Sequence, residues 1–525
     1  MRRLSGIAET MEKAPRKDVK LPVPLSAFDA LAHLFHSNMN KEQYKANRLI
    51  SKQQIADIWP TYDQATALKP SLRPAEIEYT ETTVKVPLIQ RLRHNDQRFL
   101  EIYDEAIQKL LEDVPDGGIL EVECEDKIGC DGSTGNAIYN QGFSLENRDA
   151  SDSSLLSTCL VPLQYRTAKG PIFTNPVPQG PTFCQPVRLE YRKETPEAVQ
   201  EINKWITDAE NALKLAPIIF AVGTKFVRFR HILRRSMMDV KAKNAATGNK
   251  STLRCFLCNA TSSVFNDLDT LATKFPTKEE NLVYGSVCDL HAWMRAFDAI
   301  NSLSDKLIAK KWRPGKDQKD TVESRKNIRN AAYKDQMNLL VDAARSGGVG
   351  NSNTGNTARR AFQDEATFAQ ITGVDQGLIH DIHTLLIGIN VDIPLNLEKF
   401  RAKGYATAKK WVELYPWYHM PVTLHQLFIH AWESIPQSSL PLSFFSEQSL
   451  ESCNKNFKND REHHSRKDTR LHTIQDQFHR QSDKADLKMA LKLHEKRPKK
   501  KSLDLPPDVL DFLEIAEDES TEGDD

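Results

Sequence analysis

Four residues in two short segments have the types and spacing of a zinc site. Cys255 and Cys258 in LRCFLC form a C-x-x-C, half of a tetrahedral set, and His425 and His430 in TLHQLFIH have a separation used for the other half. A C-x-x-C also serves as a redox pair, and two histidines on a core helix are equally read as polar core positions. His33/His36 and His380/His383 are competing pairs. Three carboxylate contexts point towards hard-cation chemistry. Asp131 in GCDGSTG follows an apolar-alternating run and precedes flexible glycines, where a strand-end carboxylate can bind Mg²⁺ or simply shape a turn. Asp239 is the only acid from Lys225 to Arg254, among nine Lys/Arg; it either pairs with a neighbouring Arg or holds a metal beside a phosphate-binding surface. Glu447 and Glu451 lie one helical turn apart in SFFSEQSLESCNKNFK. An acid near a helix start usually answers the macrodipole, the reading that fits Glu447 taken alone. GNSNTGNT, Gly350 to Thr357, mimics P-loop spacing, but Asn356 replaces the Lys that would reach the phosphates, so no nucleotide site is expected.

Several elements must position these groups. Residues 1–115 read as a helical dimerisation or DNA-binding module without a sheet. Asn40 and Gln43 resemble a capping box opening a helix towards Ile58, and a second helix fits Leu88 to Val114, stopped by Pro115 and Gly117-Gly118. Ile119–Cys130, Ser154–Thr167 and Thr182–Arg192 have strand character. A helix follows, with Thr195 as N-cap, Pro196 at its first position and Val199, Ile202, Ile206, Ala209 and Leu213 on one face. A further β-like run covers Thr224 to Val240. Three strands, a helix and a strand match the opening of an RNase H-like α/β domain, though one mixed sheet is not specific to it. Residues 116–254 are therefore assigned to the first part of that core, 255–440 to a mostly helical, zinc-bearing insertion, 441–500 to basic helices carrying Glu451, and 501–525 to a disordered acidic tail.

The chain has 525 residues, with 71 Lys+Arg against 71 Asp+Glu. That length suggests several domains, and eight Cys are too few for a disulfide-rich secreted scaffold. No signal peptide or bilayer-spanning apolar stretch is expected. The zero net charge conceals an asymmetry. Ten acids and no Lys or Arg fall in 504–525, leaving 71 bases against 61 acids, a net +10, on residues 1–503. From Lys455 to Lys501 there are fifteen Lys/Arg against seven acids. A basic body suits a polyanion such as nucleic acid, although solvated charged faces give the same count.

Taken in order, these segments resemble the Transib family of DNA transposases and their relative, the catalytic subunit of the V(D)J recombinase, over about Ser37 to Arg480. IADIWPTYDQATALKPSLRP looks like the family's N-terminal module, GCDGSTG like the first catalytic segment and MMDVKAKNAATGNKSTLRCFLC like the stretch joining the second Asp to the zinc cysteines. HQLFIH looks like the source of the zinc histidines, and SEQSLESCNKNFKNDREHHSRKDTR like the segment with the catalytic Glu; Cys453 departs from the expected pattern. GNTARR, Gly355 to Arg360, looks like a DNA-contacting loop. The resemblance implies Asp131, Asp239 and Glu451 as catalytic residues holding two Mg²⁺ (or Mn²⁺), and Cys255, Cys258, His425 and His430 holding one structural Zn²⁺. It also implies Gly355, Asn356, Arg359, Arg360, Lys455 and Lys458 against DNA. A nuclear homodimer is expected that nicks element ends, forms hairpins on flanking DNA and joins the ends to target DNA, with or without an accessory protein. A domesticated, non-catalytic DNA-binding descendant is the alternative.

Overall fold

The computed structural model describes residues 23–54, 56–135, 142–285, 287–344, 351–495 and 505–513. Two compact units emerge, Met1–Arg73 and Pro74–Asp525. The first contains helices α1 (Ala27–His36), α2 (Lys41–Gln53) and α3 (Tyr62–Thr66). Asn40 accepts from Gln43 N while the Gln43 side chain accepts from Asn40 N, so α2 has the expected reciprocal cap, although it ends at Gln53 rather than near Ile58. Tyr44 is its buried anchor and donates to Pro60 O at 3.0 Å.

The second unit begins with strands, where a helical, sheet-free stretch was expected. β1 (Glu78–Tyr79) and β2 (Thr83–Lys85) pair with each other, and β2 joins the main sheet. The anticipated helix from Leu88 to Val114 is two, α4 (Leu88–Ile102) and α5 (Asp104–Leu111), broken at Tyr103. The sheet continues with β3 (Ile119–Thr134), β4 (Ser154–Thr167), β5 (Gly170–Thr174) and β6 (Gln185–Glu190); after helix α6 (Pro196–Leu215) come β7 (Ile218–Val222) and β8 (Lys225–Arg234). Its order is β1-β2-β6-β4-β3-β8-β7, with β5 beside β4. β3, β4 and β6 run antiparallel, whereas β3 and β8 are parallel, from Ile119 opposite Phe226 to Lys127 opposite Arg234. A parallel neighbour requires a crossover, and α6 supplies it. Thr195 caps α6 by accepting from Ala198 N at 3.2 Å, and Val199, Ile202 and Ile206 are its buried stripe. This mixed sheet with flanking helices is consistent with an RNase H-like fold. β7 is a departure, because it precedes β8 in a hairpin.

The β-like run expected to reach Val240 stops at Arg234. Asp239 is instead the N-cap of α7 (Val240–Ala246), its Oδ1 accepting from Ala242 N at 2.6 Å. Beyond lies a helical insertion: α8 (Leu268–Lys274), α9 (Asp289–Lys306), α10 (Lys319–Met337), α11 (Gly355–Gln363), α12 (Glu365–Thr372), α13 (Gln376–Gly388), α14 (Leu397–Leu414) and α15 (Val422–His425). The chain then returns through α16 (Gln448–His463), α17 (Arg470–Ala485) and α18 (Leu487–Glu495). The acidic tail is not wholly without structure. Within 505–513, helix α19 (Pro507–Leu510) and the buried Val509, Phe512 and Leu513 dock on the insertion, with Phe512 beside Phe400 and Leu513 bridged to Leu395. The basic cluster at 496–501 and the tail beyond 513 lie outside the described residues. No helix among those described is long and apolar enough to cross a membrane.

Candidate metal centres

The C-x-x-C sits in a tight turn. Cys255 N donates to Ala260 O at 2.9 Å, Asn259 N to Cys255 O at 2.8 Å, and Asn259 adopts φ 64° to reverse the chain. His425 and His430 would lie about 140° apart around a regular α-helix. Residues Gln426–His430 form a π turn instead, and the wider turn brings both rings to one side. The Cys255, Cys258, His425 and His430 ligand atoms all lie within 4.8 Å of one another, and all four residues are buried. Cys258 Sγ is 3.3 Å from His425 Nε2, which is 3.1 Å from His430 Nε2. The other ring nitrogen of His430 lies 2.9 Å from Glu433 Oε2 and 3.1 Å from Thr277 Oγ1, an outer pair that fixes which nitrogen faces inward. Phe265 stacks on His425 at 4.0 Å. The Cys255 thiol and the two histidines draw the Cys258 thiol down to about 2 despite its burial, and burial pushes His425 down to about 4. Two buried thiols and two buried imidazoles within one another's reach are a Cys₂His₂ ligand set, so this cluster can coordinate a structural zinc. The competing pair His380/His383 is engaged with Glu365, at 2.8 and 2.5 Å.

The candidate carboxylates come from three segments and, among the described residues, are not one of the groups whose ligand atoms all lie within 4.8 Å of one another. Asp131 stands near the end of β3, Asp239 at the cap of α7 and Glu451 in the first turn of α16. Three backbone neighbours, each two residues earlier in the chain, are packed together. A β-carbon on Gly129 would lie 1.9 Å from Met237 O, and Ser449 Oγ is 3.1 Å from Met237 Sδ. Asp131 is driven up to about 8 by burial first, then by the negative charges of Glu451, Glu194, Glu447 and Asp239. Burial and the charges of Glu447 and Asp239 likewise raise Glu451.

Four further residues complete the surroundings, and three of them, Glu194, His291 and Asn454, are not singled out by the sequence. Glu194 accepts from Gly132 N at 3.3 Å, and nothing in its YRKETPE context marks it. Asn454 Nδ2 donates to Asp131 Oδ2 at 2.6 Å, and Ser157 Oγ, 2.8 Å from Asn454 Oδ1, fixes the amide's orientation. Its position three residues after Glu451, on the same helix face, is the one signal that could have found it. Glu447 is no exposed macrodipole acid; it is buried, forms an ion pair with His291 and approaches Cys288. His291 rises to about 9, its burial being outweighed by Glu447.

The residues assigned to DNA are scattered. Gly355–Arg360 is no loop but the first turns of α11, capped by Thr354 accepting from Thr357 N at 3.2 Å. Gly355 is buried against Leu290 and Arg359 lies over the Trp293 ring at 5.4 Å, while Asn356 and Arg360 are exposed. Lys455 is exposed on α16, whereas Lys458 Nζ donates to Thr134 O at 2.6 Å.

No protein-family model matches the chain, and no curated protein does. Among solved structures, the chain is similar to the Drosophila P element transposase in its strand transfer complex. The identity is 10% and the TM-score 0.32, over 93% of this chain and 99% of that one.

Proposed function

We propose that this protein is a DDE-type DNA transposase of the Transib kind, with Asp131, Asp239 and Glu451 as the ligands of two Mg²⁺ (or Mn²⁺) ions. One observation carries the reading: three distant segments converge, the backbone of Gly129 lying against that of Met237 and Ser449 Oγ 3.1 Å from Met237 Sδ, each two residues before one of the three carboxylates. When bound, such ions activate the attacking oxygen and stabilise the leaving oxygen of a phosphodiester. The chain's own residues hold the carboxylate oxygens in place. Asn454 orients the Asp131 carboxylate, the α7 cap fixes Asp239, and the contact between Ser449 and Met237 seats the turn that bears Glu451.

On this reading, water nicks the element end, and the freed 3′-hydroxyl attacks the opposite strand, leaving a hairpin on flanking DNA. The element's 3′ ends then join target DNA. Two ends need two active sites, hence a homodimer, acting in the nucleus. The zinc cluster is structural and ties the start of the insertion to its end. Asn356 and Arg360, exposed on a capped helix start, and Lys455, exposed on the helix that bears Glu451, face the backbone phosphates, while Gly355, Arg359 and Lys458 are held within the fold and support them. The test is Mg²⁺-dependent nicking of DNA carrying the inverted repeats that flank the coding sequence. Binding without nicking, in Mg²⁺ or Mn²⁺, would leave a DNA-binding protein and refute the enzyme.

A further inference from the structure

Cys159, Cys184 and Cys453 take no part in either centre described above. They come from β4, the approach to β6 and α16, yet their Sγ atoms all lie within 4.8 Å of one another and their side chains are fully buried. A single buried cysteine acts as a small hydrophobe. Three converging thiols beside buried cations are a different arrangement. Lys127 and Arg91 are fully buried. Lys127 Nζ donates to Ser446 O at 2.6 Å; burial draws it down to about 7, against the raising charges of Asp289, Cys184 and Glu447. Arg91 Nη2 donates to Pro186 O at 3.1 Å and Ser482 Oγ at 2.8 Å, but its Nε and Nη1 find no acceptor. The groups acting electrostatically on Arg91 are Asp486, Cys159 and Asp483. A buried guanidinium with two unanswered nitrogens calls for additional negative charge nearby.

We propose that Cys159, Cys184 and Cys453 form a three-coordinate thiolate site for a soft monovalent cation, Cu(I). The cluster offers three sulfurs and, among the described residues, no histidine or carboxylate within the same reach. Zinc takes four ligands in a closed protein site, whereas soft thiolates select Cu(I). A metal–sulfur bond of about 2.3 Å at the centre of a triangle spaces the sulfurs about 4 Å apart, inside the observed limit. Binding releases three thiol protons and leaves a complex of charge −2, which Lys127 and Arg91 balance. The ion would pin α16, two residues beyond Glu451, to the sheet.

The test uses the full-length, zinc-loaded protein, given one equivalent of Cu(I) under anaerobic conditions and then challenged with excess bicinchoninate. One copper per chain should remain, with zinc content unchanged and an X-ray absorption spectrum showing three sulfur and no nitrogen neighbours. Cys453→Ala should lose the copper and keep the zinc. Loss of all copper to the chelator would overturn the proposal. So would nitrogen neighbours, which mark displacement of the Cys₂His₂ zinc, or a second zinc held in place of copper. The wild-type spectrum is decisive by itself, even if the variant fails to fold.

Discussion

The backbone of Gly129 runs so close to that of Met237 that a β-carbon on Gly129 would lie 1.9 Å from the Met237 carbonyl oxygen. Each residue precedes a candidate metal ligand by two positions, so this contact sets how near Asp131 and Asp239 can come. The obstacle to any side chain at 129 is backbone, which cannot swing aside. Gly129→Ala should therefore push β3 and the turn after β8 apart, destabilising the fold by roughly 1–3 kcal/mol. It should also abolish Mg²⁺-dependent cleavage while DNA binding persists. Gel-shift and nicking assays on one preparation check this; full cleavage by the variant would show that the contact does not set the site.

A pH dependence follows from Asp131. Its carboxyl is raised to about 8 in the folded chain against an ordinary 3.8. The folded state thus retains a proton that the unfolded state loses, and metal-free stability from this group falls as pH rises between about 4 and 8. Asp131→Asn should flatten that fall and raise the metal-free melting temperature at pH 8 by roughly 2–4 °C. A divalent ion competes with the same proton. The apparent Mg²⁺ affinity should rise with pH, by up to about tenfold per unit, until pH 8. Calorimetric titration across this range tests the sign; affinity independent of pH would remove Asp131 from the ligand set.

For the zinc cluster, Cys255→Ser should lower zinc content and thermal stability together, because a closed Cys₂His₂ site contributes directly to folding. Glu433→Ala, which removes the carboxylate bonded to His430, should weaken zinc binding by about 10–100-fold without eliminating it. Elemental analysis with a chelator series measures both, and full zinc in Cys255→Ser would rule the site out.

The tail divides into two parts with different expected effects. Removing residues 505–525 deletes the buried Val509, Phe512 and Leu513 and should lower stability. Removing only 514–525 spares them, and we propose that it tightens non-specific DNA binding at low salt more than at high salt, since the acids compete with DNA for basic surface. Equal affinities across a salt series would make the last residues a solubiliser.

Local signals in the sequence were legible where one residue type decides the conformation. Asn40 with Gln43 closes the α2 cap, Thr195-Pro196 opens α6, and β4 spans Ser154–Thr167 as its apolar run suggested. Longer-range features were not. The strand pairing of β1 and β2 involves few residues and no periodicity, and the break at Tyr103 interrupts an apolar spacing that continues across it. Asp239 reads as part of a strand because Val, Ile and Phe precede it, yet its short side chain caps a helix. GNTARR resembles a DNA-contacting loop, but Thr354 caps it into α11. The π turn that aligns His425 with His430 has no sequence mark. Glu194 and His291 matter only through tertiary neighbours, so spacing alone could not find them.

The most direct test of the central claim is single-turnover nicking of terminal-repeat DNA by purified full-length protein in Mg²⁺, compared with Asp131→Ala, Asp239→Ala and Glu451→Ala at matched DNA occupancy. The account predicts cleavage by the wild type and loss to background in each variant, with binding largely retained. Cleavage at the wild-type rate by any of the three would contradict it, and in the case of Glu451 would turn attention to Glu447.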